Sequence, residues 1–265
     1  LLVENHWASP GAVIVGSDSH STAYGAVCAF GTGMGATDIA IALGTGRTWL
    51  KVPQTIRIQA IGRFAPGVTA KDLSLEIIGQ LGARGATYRA IEYHGLEFLT
   101  LAERMTLSSM AVEAGAKVGL VPPAGLPADR MIPQWLVGLD GDASYERTIE
   151  IDLAQLTPRI SLPGHPDDVT DLDQVIGTKL DVVYIGTCTN GRQDDIATAA
   201  RVLQGQKVAE NVRLIIVPAS RQVMQDILDD GSLSTLIAAG ATIGPPGCGA
   251  CIGRHMGVLA AGDVC

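Results

Sequence analysis

Aromatic side chains are scarce: Phe, Trp and Tyr make up 4% of the 265 residues, against 47% apolar residues in all. A core so short of rings is filled by Ala, Val, Ile and Leu, as in layered α/β proteins. Long apolar runs are also missing. Gly and Asp interrupt each one well before the roughly 20 residues of a spanning helix, so no membrane partner is expected. Basic residues are in deficit, 19 against 27 acidic, for a net charge of -8. That balance argues against a general nucleic-acid surface. An acidic protein acting on acids must concentrate positive charge locally. Five cysteines are an odd number in a chain too long to need disulfide staples. A reduced, cytoplasmic setting fits better than secretion, and no signal-peptide pattern is visible.

What is present is glycine, 32 residues of it, and a regular alternation of short apolar runs with amphipathic stretches. Residues 12–15 read as a buried strand ending in the polar burst GSDSH, and 36–50 as a helix closing near Pro53. Residues 54–64 alternate like a strand. Residues 69–82 follow as a helix capped by Thr69, with Leu73, Ile77 and Leu81 on one face. A strand near 88–93 and a helix near 100–115 come next, then proline-rich loop over 121–133 and a polar linker over 157–173. In the last hundred residues, strands at 181–186, 213–218 and 241–244 are separated by helices at 192–204 and 220–239. That spacing predicts βαβ units on a parallel sheet. Three α/β segments are expected, over 1–53, 54–165 and 166–265. Both ends read as cut from something longer, since the chain opens on Leu1 within LLVENHW and stops at Cys265.

Cys188 lies in YIGTCTNG, and Cys248 and Cys251 lie in GCGAC. Each group directly follows a strand of the parallel sheet. Strand-to-helix loops share one edge of such a sheet, so the three thiols are expected together there. Three thiolates leave a metal centre one ligand short, as a substrate-binding centre requires. A redox or merely buried CxxC is one alternative. Zinc is another, since Cys251 and His255 are four apart and can share a helix face, completing a Cys₃His site. Asp18 and His20, two apart on a tight turn, can face one cleft as charge and proton relay, with the Ser19 hydroxyl beside them. The plain alternative is an Asx-turn helix start. Glu113 has small apolar neighbours, and a buried carboxylate there wants an imidazole partner; otherwise it is a solvated helix glutamate. GTGMGA over 31–36 reads as helix-entry packing, Cys28 as core, and His6 and His94 as structural. Arg192 and Arg254 follow the cysteine loops and can meet an anionic substrate or serve as surface charges.

GSDSHSTAYGA, EYHG, the Glu113 segment, IGTCTNGR with two aspartates following, and PGCGACIGRHMGVLA resemble, in that order, the aconitase superfamily. The likeness is to its branch of isopropylmalate and homoaconitate hydro-lyases. The resemblance implies three-layer α/β/α domains of the aconitase iron–sulfur type, here a partial chain. It also implies a [4Fe–4S] cluster on Cys188, Cys248 and Cys251. The implied reaction is dehydration and rehydration of a hydroxy di- or tricarboxylic acid, first of all the isopropylmalates of leucine biosynthesis. Homoaconitase or aconitase activity is the alternative, and a non-catalytic iron–sulfur or zinc sensor module a third. By the same resemblance Asp18, His20 and Glu113 are catalytic, His20 pairing with Glu113. Ser19, Ser109, Asn190 and Arg192 then touch substrate, Ser109 standing where the family often has Asn. A small swivelling-domain subunit is the implied partner, in a heterodimer or heterotetramer, and supplies the serine that abstracts the proton.

Overall fold

The chain divides between Ile176 and Gly177 into two units. The computed structural model describes residues 2–136, 140–253 and 255–265, so Arg254 lies outside the described residues. The expected segments 1–53 and 54–165 fall within the first unit, and residues 166–176 belong with them.

In the first unit, β1 (Val13–Gly16) pairs in parallel with β2 (Phe30–Gly33). A 3₁₀ stretch, Ser19–Val27, connects them. GTGMGA therefore supplies the end of a strand as well as a helix entry. A Cβ at Gly33 would lie 2.8 Å from the Asp18 carbonyl oxygen, too close for a larger residue, so the strand can run beside the 3₁₀ turn only as glycine. Helix α1 (Ala36–Thr45) stops five residues before its expected end, because Gly46 takes a left-handed φ of 68°.

A four-stranded parallel sheet follows, built from β3 (Gln54–Ile61), β4 (Arg89–His94), β5 (Val118–Leu120) and β6 (Arg147–Asp152) in the order β5-β4-β3-β6. Helices α2 (Ala70–Leu81) and α3 (Leu101–Met110) share its main core. There Leu73, Ile77 and Leu107 pack with Ile56, Ile58, Ile91 and Ile149. Both helices begin with reciprocal caps. In the first, Thr69 Oγ1 accepts from the Lys71 amide while Asp72 accepts from the Thr69 amide; Thr100 and Glu103 do the same for α3. After Met110 the chain tightens to a 3₁₀ turn, Ala111–Ala114, which carries Glu113.

The stretch 157–173, expected as linker, instead holds an antiparallel pair, β7 (Arg159–Ser161) and β8 (Val169–Asp171). Strands of three residues leave too little alternation to register as strands in a sequence. Here charge holds them: Arg159 bridges Asp171 at 2.9 Å and Glu76 of α2 at 2.7 Å.

Arg104 of α3 is fully buried, and its guanidinium donates to the carbonyls of Ala26, Val121, Pro122 and Ala124. Burial pushes its pKa down only to about 10, so it stays charged at neutral pH. One side chain thus ties the 3₁₀ stretch that begins at Ser19 to the helix leading to Glu113. Arg104→Met should strip several buried carbonyls of their donor. It should cost about 3 kcal/mol or more, seen as a lower urea midpoint for the first unit.

The second unit is a βαβ sheet in the order β11-β10-β9, all parallel: β9 (Val182–Gly186), β10 (Arg213–Val217) and β11 (Thr242–Ile243). Helices α4 (Gln193–Leu203), α5 (Arg221–Asp229) and α6 (Ser232–Ala239) supply its core through Ile196, Ile227 and Leu236. The α/β class with parallel sheets matches the expectation.

Candidate active site

Asp18 ends the turn after β1 and caps the 3₁₀ stretch, its Oδ1 accepting from the His20 amide at 2.6 Å. This is the Asx-type helix start, and it aims the next side chains. His20 Nε2 lies 3.4 Å from Glu113 Oε1. On the other side of the ring, Nδ1 lies 3.3 Å from Ser19 Oγ and 3.8 Å from Asp18 Oδ1. Both halves of the pair are reachable, the His20 side chain 25% and the Glu113 side chain 36% exposed. The hydrogen bond to Glu113 holds the His20 pKa above its ordinary 6.5, against the opposing cost of burial. The same bond holds the Glu113 carboxyl below its ordinary 4.5. Lys71, at the start of α2, acts electrostatically on both; nothing in the sequence marked it. Ser17, Ser19 and Thr22 line a cleft of about 1190 Å³ that extends to Met34, Tyr88 and Lys117. Ser109 is placed differently. It is 0% exposed within α3, and its carbonyl accepts from Thr22 Oγ1 at 3.2 Å.

In the second unit Cys188 sits at the tip of a tight turn. Gly186 and Asn190 bridge across it, and Thr187 takes a left-handed φ of 81°. Arg192 Nη2 donates to the Cys188 carbonyl at 2.8 Å. Asp195 accepts from both the Arg192 amide, at 3.1 Å, and Asn190 Nδ2, at 3.3 Å. Asn190 and Arg192 thereby brace the turn. Burial pushes the Asp195 carboxyl up, and these hydrogen bonds oppose the shift. The second loop leaves β11 and makes a 3₁₀ turn, Gly249–Ile252, that presents Cys248 and Cys251. Tyr184, in the middle of β9, donates its hydroxyl to the Cys248 carbonyl at 2.8 Å. Its pKa is pushed to about 12, first by burial and then by Cys251, Cys248 and, more weakly, Cys188.

All five cysteines are thiols. Among the described residues, no three of His, Cys, Asp and Glu stand close enough to close on one metal ion. The 3₁₀ turn ends at Gly253 with φ 65° and His255 is itself left-handed at φ 67°, so no helix face joins Cys251 to His255. The donor set is soft sulfur alone, which suits an iron–sulfur cluster. A cluster spreads its thiolates more widely than a single tetrahedral ion with metal–sulfur bonds of about 2.3 Å.

His94 hydrogen-bonds Glu92 at 3.2 Å and meets Tyr145 edge-on, while His6 stands 3.5 Å from Asp129. Cys28 is half-buried at a left-handed φ of 59°, and burial pushes its thiol up to about 11. Tyr184 and Asp195 are the two residues of the cysteine region that sequence reasoning missed. Their only signals are an aromatic inside the aliphatic run DVVYIG and the second of two aspartates opening a helix. Among the described residues no helix is long and apolar enough to cross a membrane.

Parallel sheets with helices, an imidazole–carboxylate pair in the first unit and three thiols on the sheet loops of the second make this an α/β protein of the kind found in layered enzymes. The sequence matches the Aconitase family (aconitate hydratase) over residues 1–265, and the chain belongs to that family. The 3-isopropylmalate dehydratase large subunit of Herpetosiphon aurantiacus is 54% identical over 265 residues, which is 100% of this chain and 63% of that protein. The homoaconitase large subunit of Thermus thermophilus is 57% identical over 269 residues, covering 100% of this chain and 64% of its own length. A 3-isopropylmalate dehydratase large subunit of Deinococcus radiodurans is 53% identical, with 100% and 62% covered. The chain spans just under two thirds of the length of these curated relatives.

Proposed function

We propose that the chain belongs to the large subunit of an iron–sulfur hydro-lyase. The reaction moves a hydroxyl between adjacent carbons of a hydroxy di- or tricarboxylic acid, the isopropylmalates being the first substrates to try. The observation that carries this reading is that Cys188 and the Cys248–Cys251 turn, sixty residues apart, lie on the loops that leave β9 and β11, the two strands flanking β10 in one parallel sheet. A [4Fe–4S] cluster held by Cys188, Cys248 and Cys251 would supply an iron with no protein ligand, a Lewis acid for the substrate's hydroxyl and carboxylate.

The chain's own residues account for the remaining needs. Hydroxide is a poor leaving group and departs as water once it is protonated. Glu113 raises the His20 pKa above 6.5 and so favours its charged form, in which Nδ1, the ring edge flanked by Ser19 and Asp18, bears a proton. That proton goes to the departing oxygen and returns on rehydration. Ser19 offers a hydroxyl to substrate oxygens from the cleft wall. Arg192 and Asn190 hold the Cys188 turn and present positive and amide groups beside it. The carbon-bound proton is taken by a group on a small swivelling-domain subunit, the partner that the relatives' designation as large subunits supports.

Homoaconitase activity is the second reading, supported by the 57% identical Thermus relative. The test is anaerobic reconstitution with iron and sulfide, in the presence of a small subunit, followed by assay against isopropylmalate, homocitrate and citrate. Turnover of isopropylmalate at the highest kcat/KM is expected. Preference for homocitrate would move the assignment to the second reading. A colourless, zinc-loaded protein would point to a non-catalytic module.

A further inference from the structure

We propose that Tyr184 is the positioning residue for the cluster's second cysteine loop. Its hydroxyl fixes the turn carrying Cys248 and Cys251 to the strand that runs into Cys188. The inference rests on the iron–sulfur reading above and concerns which side chain makes two separate loops act as one ligand set.

The need for such a residue follows from the topology. β11 is two residues long, and its last sheet bond is from the Gly244 amide to the Ile216 carbonyl at 2.8 Å. From there Pro245, Pro246 and Gly247 lead to Cys248, and proline has no amide to offer the sheet. The 3₁₀ turn closes on itself through the Cys251 amide to the Cys248 carbonyl, at 3.2 Å. That bond shapes the turn and does nothing to attach it. Tyr184 attaches it. Its ring packs with Val182, Ile215, Val217 and Met256, and its hydroxyl is the second donor to the same Cys248 carbonyl, at 2.8 Å. Tyr184 lies two residues before Gly186, where the Cys188 turn begins, so the second loop is referenced directly to the strand that sets the first.

Gly249 makes the contact possible. Any Cβ there would overlap the Tyr184 hydroxyl, and the residue sits at a left-handed φ of 54°. The sequence thus places the one residue type that lets the phenol reach the turn. Partners that orient metal ligands commonly change metal retention by 10–100-fold when removed.

Tyr184→Phe keeps the ring and deletes only the hydroxyl, with its bonds to the turn. In the 265-residue chain without cluster, a thiol reagent followed by mass spectrometry should modify Cys248 and Cys251 faster than in the parent, with Cys188 unchanged. In the reconstituted chain, iron should pass to a chelator about tenfold faster, with an altered electron paramagnetic resonance spectrum of the reduced cluster and an unchanged Tm. Equal thiol rates and equal iron release in both proteins would overturn the proposal. So would uniform acceleration at all three cysteines, which is general loosening. If Tyr184→Phe fails to fold, Gly249→Ala displaces the same hydroxyl from the other side and should give the same two-of-three pattern. A parent chain that takes up no iron or sulfide would defeat the iron–sulfur reading, while the thiol rates would still decide what Tyr184 does.

Discussion

Replacing any one of Cys188, Cys248 or Cys251 with serine should bring bound iron and sulfide to background after anaerobic reconstitution. A thiolate is a soft, polarisable donor that binds iron–sulfur centres well; an alcohol in its place is harder and stays protonated at neutral pH. A cluster held as proposed would rest on these three protein donors, so two should not retain it. The two cysteines outside the set provide the control. Cys28 is held as a neutral thiol by burial, its pKa pushed up to about 11, and Cys265 is exposed at the end of the described chain. Serine at either should leave iron, sulfide and visible absorbance at parental levels. Full iron in all three of the first variants would remove the cluster from this chain. Loss in Cys28→Ser equal to that in Cys188→Ser would show that the assignment of donors is wrong.

The parts of each unit that the sequence displays are those where one local rule has no competitor. Thr69 announces the start of α2 because a cap hydroxyl satisfies an amide of the first turn; here it accepts from the Lys71 amide at 3.2 Å, while Asp72 accepts from the Thr69 amide at 2.7 Å. The cysteine loops are legible because parallel strands direct every following loop to one edge. β2 is not legible, since FGTG carries two glycines whose role is close approach to the 3₁₀ stretch and not β-propensity. The β7–β8 pair is hidden for a related reason. Its stability comes from Arg159 reaching Glu76, about eighty residues earlier in the chain. Ser109 illustrates the opposite hazard. A resemblance assigns it to substrate, yet α3 turns it into the packed interior, where its backbone serves Thr22. Tyr184 was invisible because its partner is a backbone carbonyl, which every residue has. Side chains that act on side chains leave a pattern in sequence; those that act on the backbone leave almost none.

His20→Ala should leave iron and sulfide content unchanged and lower kcat by about 10²–10⁴-fold in the complete enzyme, the range removed with a positioned general acid. The stability of the first unit should change little, because the pair is partly open to solvent and such pairs contribute about 1 kcal/mol or less. The pH dependence separates a charged pair from a mere contact. Glu113 has its carboxyl held below 4.5 by His20, so its share of the stability is present above that value and is lost as pH falls through the lowered pKa. His20 has its pKa held above 6.5 by Glu113, so its share is complete below 6.5 and is lost as pH rises through the raised pKa. The pair is therefore worth most between about pH 4.5 and 6.5, and the acid form of His20 persists above the upper limit. Glu113→Gln removes the anion and keeps the shape. It should move the His20 ring titration, followed by NMR, downward, and shift the alkaline limb of the kcat profile to lower pH by the same amount. If the limb stays in place while the ring titration moves, the proton delivered to the departing hydroxyl comes from a group other than His20.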